Sequence, residues 1–168
     1  PTASYTDVRN AILDSATPAA SVDGKVVTDG VLNPSGALQQ IAPTADGYEE
    51  NDSAGEVLAK TPGAAGSAHF GLITAQTTIT GLNMVDDSTD WFAFTTNSVG
   101  DAQSFVEINF NASQHNLGLT LYASDGTTVL GSSDGSTGQE RVSLDGIAAG
   151  TYLMKVTSGA ASPGPGIR

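Results

Sequence analysis

Cysteine is absent from the 168 residues, so disulfides contribute nothing to this fold. Small secreted proteins that lack disulfides often rely on bound metal instead, which directs attention to oxygen-rich clusters. Cations are scarce: six Lys and Arg stand against eighteen Asp and Glu, giving a formal net charge of −12 and a pI near 4.1. Such a surface repels nucleic acid and anionic membranes, and no basic cluster offsets it. No apolar run approaches a membrane span, and no signal peptide is visible. The chain opens at Pro1 without Met, so a processed form or a fragment is expected. Its length fits one domain, or one domain plus a piece of another, and is enough to bury a real core.

What the chain does have is acid, gathered in two places. Asp46-Gly-Tyr-Glu-Glu-Asn-Asp-Ser53 carries Asp46, Glu49, Glu50 and Asp52, and Asp86-Asp-Ser-Thr-Asp-Trp-Phe92 carries Asp86, Asp87 and Asp90. Lys60 is the only Lys or Arg from Asp46 to Phe92. Like charges brought together by folding repel unless a cation bridges them, and hard oxygen ligands at short spacing suit calcium. The second run leads into Trp91-Phe92-Ala-Phe94, an alternation that reads as a strand with one buried face. The expectation is a calcium clasp pinning an entering segment to the start of a strand. A solvated acidic surface is the alternative reading.

Residues 1–41 read as two short helices. Ser4 caps the first, with Asp7 as its capping-box partner, and Val8, Ala11 and Ile12 form one stripe. Pro18 stops that helix near Ser15. Asn33-Pro34 opens the second, with Ala37, Leu38 and Ile41 on one side. Two such helices cannot bury their stripes on each other alone and need a larger body. From residue 42 the composition turns to Gly, Thr, Ser and Asp, with candidate strands at 68–75, 77–82, 91–96, 104–109, 118–123, 129–131, 140–144 and 151–157. That spacing predicts a mainly β protein: an antiparallel, jelly-roll-like β-sandwich over 42–168, preceded by the two helices. Asp125-Gly126 marks a hairpin. A sandwich normally sends another strand back after a loop such as 158–166, so its last strand is expected to be missing. The strand at 151–157 is then expected to offer an unpaired edge.

Two parts of the sequence resemble known families. Tyr5-Thr-Asp-Val-Arg-Asn-Ala-Ile-Leu-Asp-Ser-Ala-Thr-Pro18 and Gly24-Lys-Val-Val-Thr-Asp-Gly-Val-Leu-Asn-Pro34 resemble the end of a subtilisin-like serine protease (subtilase) catalytic domain. Asp46-x-Tyr-Glu-x-Asn-Asp-Ser53, Asp87-x-x-Asp-Trp-Phe92, Leu119-x-Leu-Tyr122 with Asp125-Gly126, and Ala149-Gly-Thr-Tyr152 are similar to the bacterial pre-peptidase C-terminal (PPC) domain. This resemblance implies a β-sandwich appended to a secreted protease, with calcium held by Glu49, Asn51, Asp52, Asp87 and Asp90. Asp46, Glu50 and Asp86 are then outer or solvated groups, and Tyr48 and Trp91 packing residues.

The nucleophile motif of a subtilisin-type enzyme is missing, so no catalytic residue is assigned. Gly131-Ser-Ser-Asp-Gly135 matches G-x-S-x-G, but a nucleophile elbow needs a strand, a sharp turn and a helix, and this match lies between strands. His69 and His115 are expected at the surface, and the sequons at Asn51 and Asn111 are read as coincidence. The leading expectation is a non-enzymatic, extracellular, calcium-binding accessory module whose partner is the parent catalytic domain. A self-assembling subunit exchanging strands with other copies comes second, and a substrate- or polysaccharide-binding module third. The ten aromatic residues mostly fall at core-facing positions, which leaves little for the third.

Overall fold

Every strand expected from the alternation forms except the one at 77–82. The structure, a computed structural model, describes residues 4–41, 46–84, 89–113 and 115–158, and only the backbone of 39–41. The chain divides into two compact units, Pro1–Thr44 and Ala45–Arg168.

In the first unit, helix α1 (Tyr5–Asp14) starts at Ser4, whose hydroxyl accepts from the Asp7 N–H at 3.2 Å while Asp7 accepts from the Ser4 N–H at 2.8 Å. This is the expected capping box, and it holds the Asp7 carboxyl below its usual pKa. A two-residue ribbon pairs β1 (Thr17–Pro18) with β2 (Gly30–Val31), and α2 (Pro34–Ile41) follows. The Asn33 side chain accepts from the Gly36 N–H at 2.9 Å, so Asn33 is the cap its position suggested. Ala11 and Ala37 are buried where the helices meet, yet Val8, Ile12 and Leu38 from the same stripes stay exposed. Within its own unit, that apolar surface is left uncovered.

The second unit holds α3 (Ala54–Ala59) and β3 (His69–Leu72), β4 (Thr89–Thr96), β5 (Phe105–Asn109), β6 (Leu117–Ala123), β7 (Val129–Ser133), β8 (Gln139–Ser143) and β9 (Gly150–Ser158). Five strands make one sheet in the order β3-β4-β9-β6-β7, and β5 pairs with β8 in a ribbon. All pairs in the unit are antiparallel except β3 with β4. The β8 strand packs on β6 and β7, which makes the sandwich, and α3 packs on β4. The fold is mainly β and consistent with the expected sandwich.

Two expectations are corrected here. The strand at 151–157 is not an edge: β9 lies between β4 and β6 and is hydrogen-bonded along both sides. Nor is β4 buried on one face alone. Trp91 and Ala93 point one way and Phe92 and Phe94 the other, and all four are buried. Phe92 stacks on Phe70 at 5.5 Å between ring centroids, whereas Trp91 meets Tyr122 at 5.0 Å. An interior strand with a layer on each side buries both faces.

The β6–β7 hairpin turns where expected. The Asp125 carboxylate accepts from the Thr128 hydroxyl at 2.6 Å and from the N–H groups of Thr127 and Thr128, each at 2.8 Å. Those donors, the Thr128 hydroxyl first, hold its pKa well below the usual range. A carboxyl with a lowered folded pKa stabilises the fold above its unfolded pKa of about 3.9, and loses that contribution as pH falls further. Asp125→Ala should therefore lower the melting temperature at pH 7. The gap to the parent chain should narrow as pH drops below about 3.9, followed by melting curves across pH. A gap that stays constant into acid would disprove the turn's charge dependence.

Candidate metal centre

The outer edge of β4 is shared by two segments. At its start, the Trp91 N–H donates to the Asn51 carbonyl at 2.7 Å, and the Asn51 side-chain amide donates to the Trp91 carbonyl at 3.3 Å. Further along, the Ala93 N–H donates to Ala68 O and the Ile73 N–H to Thr95 O, both at 2.9 Å. Asn51 thus takes the first position on the edge and β3 the rest. The segment leading into the sandwich is pinned to the start of this strand.

Asn51 is wholly buried, and its Oδ1 has no hydrogen-bond partner among the described residues. An unsatisfied buried acceptor costs about 1–3 kcal/mol. A carboxamide oxygen is also a hard ligand of the kind calcium takes. Next to Trp91 on β4, Asp90 is 2 % exposed. Burying a carboxylate is unfavourable unless other groups or a cation compensate it.

The remaining residues implied by the resemblance divide by position. Glu49 is half-buried and Asp52 exposed, so the run alternates about Asn51. Asp87 and its neighbour Asp86 lie outside the described residues. Among the described residues, no three His, Cys, Asp or Glu side chains group closely enough to hold a metal.

Three neighbouring residues have roles the sequence reading did not assign. Asp46 accepts from the Tyr48 and Asn83 N–H groups, each at 2.9 Å, and so ties the first acidic run to the segment before the second. Lys60 Nζ donates to the Tyr48 carbonyl at 2.6 Å. Ser53 caps α3, accepting from the Glu56 N–H at 3.3 Å. The signal for that helix was present as Ser53-x-x-Glu56, a capping-box pattern inside a stretch read for metal ligands. Tyr48 packs edge-on against Phe70 and Phe92, as expected for a packing residue.

His69 is buried, contrary to the surface position expected; residues 61–68 turn back on β3, where the Gly63 N–H donates to the His69 carbonyl at 2.7 Å. His115 is exposed. At the G-x-S-x-G match, Ser133 ends β7 and donates its hydroxyl to the buried Glu140, which also accepts from the Gly135 N–H at 2.8 Å. The next element is β8 rather than a helix, so the match is not an elbow. Asn51, wholly buried, cannot serve as a glycan acceptor in this fold.

A model of the bacterial pre-peptidase C-terminal domain matches residues 88–158. The match runs from just before β4 to the end of β9, and this domain type is non-catalytic. No curated protein matches the chain. Among the described residues, no helix is long and apolar enough to cross a membrane.

Proposed function

We propose that this chain is a non-enzymatic accessory module of a secreted subtilisin-like protease, with calcium closing the junction between the entering segment and the sandwich. The ligands in this reading are Glu49, Asn51, Asp52, Asp87 and Asp90. The observation that carries it is Asn51. Its buried, partnerless Oδ1 sits where the first acidic run meets the strand that carries Asp90. The domain match supports the accessory role, and the likeness of residues 5–34 to the end of a subtilase catalytic domain supports the parent enzyme. The apolar faces left uncovered in the first unit suit a segment that packs on such a body.

Calorimetric titration tests the metal. Calcium should bind with micromolar to millimolar affinity, the range of extracellular calcium modules and sensors. Asp87→Ala and Asp90→Asn should each remove the binding heat, whereas heat unchanged in both variants would sink the assignment. An active-site-directed fluorophosphonate probe tests the non-enzymatic half. No serine should be labelled, and a labelled Ser133 would overturn it.

The polysaccharide-binding alternative finds little to use: Trp91, Phe92, Phe94 and Tyr152 are all buried. Phe105 is partly covered by the Arg141 guanidinium, 3.8 Å from its ring centroid.

A further inference from the structure

Residues 74–82, Thr-Ala-Gln-Thr-Thr-Ile-Thr-Gly-Leu, have the composition of a strand but no strand partner among the described residues. Four Thr and one Ile give them the β-branched content that favours extended chain. Yet among the described residues their backbone N–H and C=O groups bond to no other backbone group, and Ala75 O accepts from the nearby Thr77 hydroxyl at 3.2 Å. Apart from the half-buried Ile79, every residue in the run is exposed. Both ends are held: the Ile73 N–H donates to Thr95 O at 2.9 Å, and the Asn83 N–H to the Asp46 carboxylate at 2.9 Å. The run is thus held at either end, with its residues exposed between the two ties.

We propose that residues 74–82 are a docking strand for a second copy of this chain. Charge identifies the occupant. Two copies at −12 repel over most of their surface, but residues 61–85 contain no Asp, Glu, Lys or Arg. This neutral window is where like copies can approach without that repulsion. A short, uncharged, β-rich run without Pro is also the type of segment that pairs with its own copy. A closed dimer needs a self-complementary contact about a two-fold axis. Antiparallel pairing centred on Thr78 supplies one, setting Thr78 opposite Thr78 and Thr77 opposite Ile79. Cross-strand pairs of Thr and β-branched residues are favourable, and like charges directly opposite are not. The interface is independent of the calcium reading and of β9, which has no free edge.

Sedimentation velocity on the intact chain, across concentration and salt, tests this. Dimer should form as concentration rises, and salt should strengthen it by screening the repulsion between acidic copies. Thr78→Asp and Thr78→Arg should each weaken it at least about tenfold, or 1.4 kcal/mol, because each sets two like charges on the axis. Mixing the two variants should restore it, since opposite charges then face each other. Thr78 is exposed and makes no hydrogen bond to another described residue, so both variants should melt like the parent chain at low concentration. Hydrogen exchange should show the amides of 74–82 protected only where dimer is populated. A monomer up to about 1 mM in high salt overturns the proposal. So does a dimer that both variants leave intact, or protection that appears on a different segment.

Discussion

Calcium should raise the melting temperature of this chain by about 5–10 °C, and excess chelator should reverse the rise. A ligand that binds only the folded state adds RT ln(1 + [L]/Kd), about 2.7 kcal/mol at a hundred times Kd. For a chain of this length each kcal/mol is worth roughly 2–4 °C. Asp90→Asn, which keeps the side chain's shape and removes its charge, should abolish the response. Asn51→Leu is the sharper variant. It removes the buried, partnerless Oδ1, which favours the metal-free fold, and also the amide bond to the Trp91 carbonyl, which opposes it. These changes offset one another, so the metal-free melting temperature should move little while the calcium response disappears. Asn51→Leu that retains the full calcium shift would exclude Asn51 as a ligand. A parent chain indifferent to both calcium and chelator would leave the acidic runs as solvated surface.

Local chemistry in this sequence was legible and long-range order was not. The Ser4–Asp7 capping box, the Asn33 cap and the Asp125 turn are set by residues within three positions of each other, and each forms as its pattern implies. Sheet order is different. β9 is the last strand among the described residues yet third in its sheet, and nothing in its alternation says that β4 and β6 flank it. Residues 77–82 failed for a related reason. Their pattern is a strand's, but a strand exists only when another segment supplies a ladder, and among the described residues none does. β4 misled because Ala93, small and lying between Phe92 and Phe94, gave no sign that its side was also covered. At the candidate site, the pinning of the 46–53 run to the start of the Trp91 strand was readable from the order of the motifs. The role of Asp46 was not, because its partner Asn83 lies far along the chain. The burial of His69 was not legible either, because the preceding residues 61–68, which turn back on β3, have no regular pattern to read.

Leu153→Ala should cost about 3–5 kcal/mol, the upper part of the range for deleting a buried leucine side chain. The range depends on how far the surroundings can collapse into the space left, and at this position they cannot move. Leu153 is fully buried on β9, paired with Ala93 of β4 on one side and Tyr122 of β6 on the other. Shifting β9 inward would break two hydrogen-bonded ladders at once. The neighbours above it are small and fixed: a methyl group on Gly126 would lie 3.7 Å from Leu153 Cδ1 and 2.8 Å from Ala54 Cβ. Gly126 is held in turn by the Asp125 turn and a φ of +68°. The cavity therefore persists. Urea titration should show the loss as a lower midpoint with an unchanged m-value. Leu153→Met, which nearly conserves volume, should cost less than about 1.5 kcal/mol. Leu130→Ala, on the outer strand β7 and 41 % exposed, should stay within about 0.5 kcal/mol. If Leu153→Ala cost no more than Leu130→Ala, β9 could not be the buried interior strand of its sheet.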